Sequence, residues 1–184
     1  MSGQTLQAVD ITSDDKDLAE KLNRIIDKLK KAPEGPVIAK FEADTELVQG
    51  FLTKARIRQF TLDIDELPQL CGTDKGPNPV ELVLAALGTC QEIVYAAYAA
   101  VLGIPLDSIR ITVRGHLDAR GLFNIAPVPS GFTDIDYEVD IKSPADRIRI
   151  KELADIVNAH CPVLDTLQRP INVNFSVRLN NERL

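Results

Sequence analysis

The chain has no run of basic residues, and its 21 Lys and Arg are outnumbered by 27 Asp and Glu. The resulting net charge of −6 argues against nucleic acid or an anionic membrane surface as a partner, since both attract positive charge. Cysteine is scarce, with three in 184 residues, which is too few for a disulfide framework. The stretch from Met1 to Asp17 is polar and acidic and lacks the apolar core of a secretory signal. A cytoplasmic location is therefore expected, and there the cysteines would be free, catalytic or redox-active. No Gly-rich phosphate loop opens a helix after a strand, and no GxSxG elbow occurs. CxxC and HxxxH spacings are also missing. Cys90, Cys161 and His160 make only a weak metal-ligand set, so neither a metal nor another cofactor is expected.

What remains is the composition of an ordinary globular protein, 45% hydrophobic and 26% charged. The length suits one domain, or one domain with an extension, and suffices for a sizeable core. Residues 1–35 read as an N-terminal helical extension and 36–184 as the main domain. In the extension, Ser13 and Asp14 can cap a helix whose apolar positions are Leu18, Leu22, Ile25, Ile26 and Leu29. Lys28, Lys30 and Lys31 suit the helix dipole at its end, before Pro33, Gly35 and Pro36 break the pattern.

Strand signals follow. Val37, Ala39 and Phe41 alternate with polar residues. A turn near Ala43 to Glu46 leads to a second stretch around Gly50 to Lys54, then a third from Ala55 to Ile64. A phase slip between Ile57 and Phe60 suits a bulge. After a Gly/Pro-rich loop, Asn78 is a good N-cap, Pro79 fits the first helical position, and Glu81 sits where a capping-box carboxylate belongs. Gly103 ends this helix, giving about 24 residues and a length of roughly 36 Å. Glu81, Gln91 and Glu92 interrupt its apolar run, which points to a buried central helix rather than a membrane span.

Downstream, Ile109, Ile111 and Val113 alternate with Arg110, Thr112 and Arg114. Ile135, Tyr137, Val139 and Ile141 alternate with Asp134, Asp136, Glu138 and Asp140. These read as half-buried strands whose basic and acidic faces can pair across an antiparallel ladder. Ser143-Pro144-Ala145-Asp146 opens a helix with Ile148, Leu153, Ile156 and Val157 inside. Ile171, Val173, Phe175 and Val177 alternate as a last strand. The order β, β, β, α, β, β, α, β predicts an α+β fold, an antiparallel sheet wrapped on a long helix.

Two thiols carry the candidate chemistry. Cys90 lies mid-helix with Ala86, Leu87, Ile93 and Val94 as its neighbours. That setting suits a buried core cysteine, or a reactive thiol whose polar partners come from elsewhere in the fold. Cys161 precedes Pro162, which ends the preceding helix near His160. It is either a packed turn or the N-cap of a short helix, where backbone N–H groups would lower a thiol pKa. Glu81 is a capping residue or an acid that orients the site. On a regular helix it lies roughly 13 Å from Cys90 along the axis and on the opposite side. Cys71 has no obvious partner, and His116 reads as a solvated strand end.

The stretch Gly72-Thr73-Asp74-Lys75-Gly76-Pro77-Asn78-Pro79-Val80-Glu81-Leu82, continued by Ala85-Ala86-Leu87-Gly88-Thr89-Cys90, resembles the OsmC/Ohr family of osmotically inducible and organic-hydroperoxide-resistance proteins. Cys161-Pro162-Val163, Gly115-His116-Leu117-Asp118 and Gly131-Phe132-Thr133-Asp134-Ile135 extend the resemblance, which covers about Val37 to Leu179. It implies an OsmC-like fold and an intertwined homodimer with sites at the subunit interface. It also implies that Cys90 attacks an organic hydroperoxide and Cys161 resolves the sulfenic acid to a disulfide, which a small dithiol reduces. Glu81 is carried over as the site's acid. The family's usual glutamate place, directly after the second proline, holds Val80. No arginine around Gly50 matches the family's activating one, since Arg56 and Arg58 read as solvated strand residues. The pattern is closer to the OsmC-like branch. Two alternatives to a peroxidase stand beside it: a non-catalytic module binding a hydrophobic ligand, and a protein that handles the thiols and disulfides of other proteins.

Overall fold

The computed structural model describes residues 15–184. The expected Ser13 and Asp14 cap lies outside them. Helix α1 (Asp15–Lys30) lies against the long helix α2 and half-buries Leu18, Leu22 and Ile26 on that side, while Ile25 and Leu29 stay exposed. Strands β1 (Asp44–Gln49), β2 (Leu52–Ile57) and β3 (Phe60–Ile64) form an antiparallel meander. β1 occupies the stretch where a turn was expected, and the turn falls at Gly50, whose φ of 59° suits glycine. The slip between Ile57 and Phe60 is the next turn, not a bulge. Ile57 pairs with Phe60, and Arg58 takes a left-handed φ of 55° between them. The bulge occurs between Leu47 and Gln49.

Two expected strands do not form within the chain. Residues 37–41 and 171–177 alternate as read but lie in no strand or helix, and Phe41 and Phe175 are 91% and 89% exposed. Alternation needs a neighbouring strand to become a ladder, and among the described residues none pairs with either segment. The C-terminus closes only in a short hairpin of β6 (Arg178–Leu179) and β7 (Glu182–Arg183).

A tight loop connects β3 to α2. The buried Asp65 carboxylate accepts from the backbone N–H of Glu66 at 2.8 Å, of Thr73 at 3.0 Å and of Lys75 at 3.3 Å, and from the Thr73 hydroxyl. The Thr73 hydroxyl holds this carboxyl below its usual range, with the three N–H bonds acting in the same sense against desolvation. The backbone crosses itself closely here: a Cβ on Gly72 would sit 1.8 Å from the Glu66 carbonyl oxygen, and one on Gly76 would sit 2.0 Å from that of Asp63.

Helix α2 (Pro79–Leu102) starts and stops as its sequence predicts. Asn78 Oδ1 accepts from the Glu81 N–H at 2.9 Å, and Glu81 Oε2 accepts from the Asn78 N–H at 2.8 Å. Gly103 ends the helix at a left-handed φ of 62°. The helix is long and apolar enough to cross a bilayer, a test that core helices also pass. Within the chain only one stripe is buried, made of Leu87, Gly88, Gln91, Tyr95 and Ala99. Ala85, Thr89 and Ile93 on the opposite side are exposed.

Strands β4 (Ser108–Leu117) and β5 (Phe132–Lys142) form the second antiparallel unit, and the charged faces pair as expected: Arg110 opposes Asp140 and Arg114 opposes Asp136. The short helix α3 (Ala119–Leu122), capped by Asp118, lies between them in the chain. Helix α4 (Arg147–His160) is capped by Asp146, so it starts after Ala145, which instead donates its N–H to Ser143 Oγ. Ile148, expected inside, is in the first turn and 72% exposed. Helix α5 is Pro162–Gln168.

Two buried clusters form between these layers. The larger joins Tyr95 and Ala99 of α2 to Leu153 and Val157 of α4, with Ile104 and Leu106. Full burial of Leu153 and Val157 contributes roughly 1.5–3 kcal/mol each. The smaller contains Leu87, Cys161 and Leu164, with Cys90, Val113, Ile135, Tyr137 and Val163 packed against it.

Candidate active site

The fold brings Cys90 and Cys161 together in the smaller cluster. Cys90 is held by the middle of α2, about three turns beyond a capped helix start that fixes its rotation. Cys161 is the hinge residue between α4 and α5, with φ −75° and ψ 114°, an extended conformation imposed by Pro162. Its backbone N–H closes α4 on the Val157 carbonyl at 2.9 Å, and its own carbonyl accepts from Asp165 at 3.0 Å as α5 begins. Cys90 is partly exposed and Cys161 is 0% exposed; both are free thiols.

Burial pushes the Cys90 thiol above its ordinary value. The Val163 backbone N–H, directed at the sulfur, pulls it down, and the adjacent Cys161 thiol pushes it up. The N-terminus of α5 thus serves Cys90 rather than Cys161, which makes no side-chain cap hydrogen bond. Cys161 is the N-cap of α5, one of the two places the sequence allows it, but without a cap hydrogen bond to its sulfur.

Other polar groups surround the pair. The Tyr137 hydroxyl donates to Asn158 Oδ1 at 2.7 Å, and burial followed by the nearby Cys161 pushes its pKa up. Tyr95 is pushed up by burial, then by Tyr137 and Asp155. Gln91 is 0% exposed, and neither its Nε2 nor its Oε1 has a hydrogen-bond partner among the described residues. Sequence reading treated Gln91 only as an interruption of an apolar run. Its place on the Leu87–Gln91–Tyr95 stripe was the available signal.

The remaining candidates lie apart from the thiols. Glu81 is engaged in the capping box nine residues before Cys90, and the regular helix keeps the two on opposite sides within one chain. His160 stacks at 5.7 Å against the Tyr98 ring. His116 is exposed as expected but paired: its Nδ1 meets Asp134 Oδ1 at 2.6 Å, and this contact pushes the imidazole up. Cys71 is exposed, at a left-handed φ of 67° in the loop before α2. The Arg58 guanidinium lies 5.2 Å over the Phe60 ring, and Arg56 pairs across the meander with Asp44.

A cleft of about 200 Å³ runs between α2 and β4, lined by Leu84, Ala85, Gly88, Thr89, Glu92 and Val113. A larger hollow of about 830 Å³ on the β1–β3 face is lined by charged and polar residues and by neither thiol. Among the described residues no group of three or more His, Cys, Asp or Glu side chains is placed to hold a metal ion.

Comparison with known proteins identifies the family. The sequence profile of OsmC, described as OsmC-like protein, matches residues 72–176. A protein of Mycoplasma genitalium named hydroperoxide reductase is 31% identical over 122 residues, spanning 65% of this chain and 82% of that protein. Among solved structures, an OsmC-like protein from Mycoplasma pneumoniae superposes with a TM-score of 0.63 at 25% identity, over 72% of this chain and 89% of the other. An organic hydroperoxide resistance protein from Legionella pneumophila shares the fold at a TM-score of 0.56 and 19% identity, over 72% of this chain and 92% of the other.

Proposed function

This chain belongs to the OsmC-like family, and from that premise we propose that it is a thiol-dependent reductase of organic hydroperoxides. The observation that carries this reading is the meeting of Cys90 and Cys161 in one apolar cluster, with the Val163 N–H directed at Cys90. The Cys90 thiolate attacks the distal peroxide oxygen. The O–O bond breaks, the alcohol leaves with a proton, and a sulfenic acid remains on Cys90. Cys161 then attacks that sulfur, forming a disulfide and releasing water. A small dithiol restores both thiols and is itself oxidised to a disulfide. The apolar lining of the cluster favours an alkyl peroxide over hydrogen peroxide, because an alkyl chain gains from the burial.

Glu81 enters as the residue that fixes the start of α2, and so the rotation of Cys90. A second copy of the chain completes the unit. Its proposed contact covers the open side of α2 and pairs with the unpaired segments 37–41 and 171–177, whose alternating apolar residues are exposed in one chain. The reaction needs no further cofactor and suits the cytoplasm, where a reducing dithiol is available.

Turnover tests the proposal. Purified protein with a dithiol such as dihydrolipoamide should consume cumene hydroperoxide faster than hydrogen peroxide and sediment as a dimer. Cys90→Ser should abolish turnover with the fold intact, and Cys161→Ser should stop it after one sulfenic acid per chain. Undiminished turnover in Cys90→Ser would refute the assignment.

A further inference from the structure

Resting on that redox reading, we propose that the Gln91 carboxamide is a positioning residue that donates a hydrogen bond to the Cys161 sulfur whenever it carries charge. Both half-reactions pass through that species. In resolution, the Cys161 thiol gives up its proton and its sulfur attacks Cys90. The S–S bond forms, the S–O bond breaks, and the hydroxide leaves with the proton as water. In reduction, the dithiol attacks the partly exposed Cys90 sulfur, and the electron pair of the broken S–S bond goes to Cys161 as a thiolate.

Cys161 is 0% exposed and shares its cluster with Leu87 and Leu164. No water reaches the sulfur there, so a hydrogen bond to it during the reaction must come from the protein. Three nearby donors are engaged elsewhere in the resting protein. The Val163 N–H serves Cys90, the Tyr137 hydroxyl serves Asn158, and the Cys161 N–H closes α4 on Val157.

Gln91 occupies the matching place on α2. One turn before it, Leu87 packs in the cluster of Cys161; one turn after it, Tyr95 packs in the cluster of Val157. Because Val157 is one turn before Cys161 on α4, Gln91 faces the junction that ends in the buried thiol. A side chain that is 0% exposed with both polar atoms unpaired costs roughly 1–3 kcal/mol in a resting core. At rest the carboxamide makes no hydrogen bond to the Cys161 sulfur, and a turn of its Nε2 toward that sulfur when it carries charge would offset the cost during the reaction.

The test separates the two thiol steps. Reduced protein is mixed with one equivalent of cumene hydroperoxide and quenched over time with a cyclic diketone that traps sulfenic acid and an alkylator that caps thiols. Mass spectrometry then counts each product. Gln91→Met, close in length and apolar, should oxidise Cys90 at the parent rate but close the disulfide about tenfold more slowly, so that trapped Cys90 sulfenic acid accumulates. Gln91→Leu serves the same purpose if the methionine variant is poorly folded. Disulfide closure at the parent rate would overturn the inference and leave the redox function standing, as would equal slowing of both steps. Failure of the parent protein to oxidise Cys90 at all would overturn the function and the inference with it.

Discussion

A thiol set among leucines and valines stays protonated unless something donates to its sulfur, and Cys90 has one such donor, the Val163 N–H. Burial and the neighbouring Cys161 outweigh it, so the thiolate is the minor form at neutral pH. Below a raised pKa the thiolate fraction grows tenfold per pH unit. Initial oxidation of Cys90 by cumene hydroperoxide should therefore rise about tenfold from pH 7 to pH 8. Stopped-flow thiol loss checks this, and a plateau reached below pH 7 would contradict it. At this scale the sequence named both cysteines, because Pro162 and the capped helix fix where they lie. It did not show which thiol the α5 N-terminus serves, since the backbone direction depends on how α5 packs on α2. Nor did it single out Gln91, whose importance comes from the absence of a partner in three dimensions.

Among elements, the most constrained is the connection that aims α2. Asp65 gathers three backbone N–H groups and a hydroxyl, and Gly72 and Gly76 let the loop cross the strand end at distances no Cβ allows. Gly76→Ala must push the Asp63 carbonyl aside. The expected loss is about 1–3 kcal/mol or more, read as a lower urea midpoint, together with slower disulfide closure because α2 loses its anchored start. An unchanged midpoint would show that the loop yields freely. Helix boundaries and the charged ladder of β4 and β5 were legible because Asn78, Pro79, Gly103 and the alternating Arg and Asp residues act locally. Segments 37–41 and 171–177 were misread as strands of this chain: alternation reports a half-buried face but not which strand pairs with it.

For the whole molecule, the described residues leave apolar area without cover within the chain, Ile38, Phe41, Val173 and Phe175 among it. The open side of α2 and the unpaired alternating segments account for part of that area, and a second copy is the proposed cover. The α+β class was legible in the order of elements, and the resemblance located both thiols. The division of the sheet into separate units was not legible, because alternation does not say which strands pair. The most direct measurement is a titration of the fully reduced protein with cumene hydroperoxide, with thiols counted and any disulfide located by peptide mass spectrometry. The expected result is the loss of two thiols per equivalent of peroxide and a Cys90–Cys161 bond, with Cys71 unmodified. Slow oxidation spread over all three cysteines, or a bond that excludes Cys90, would contradict the assignment.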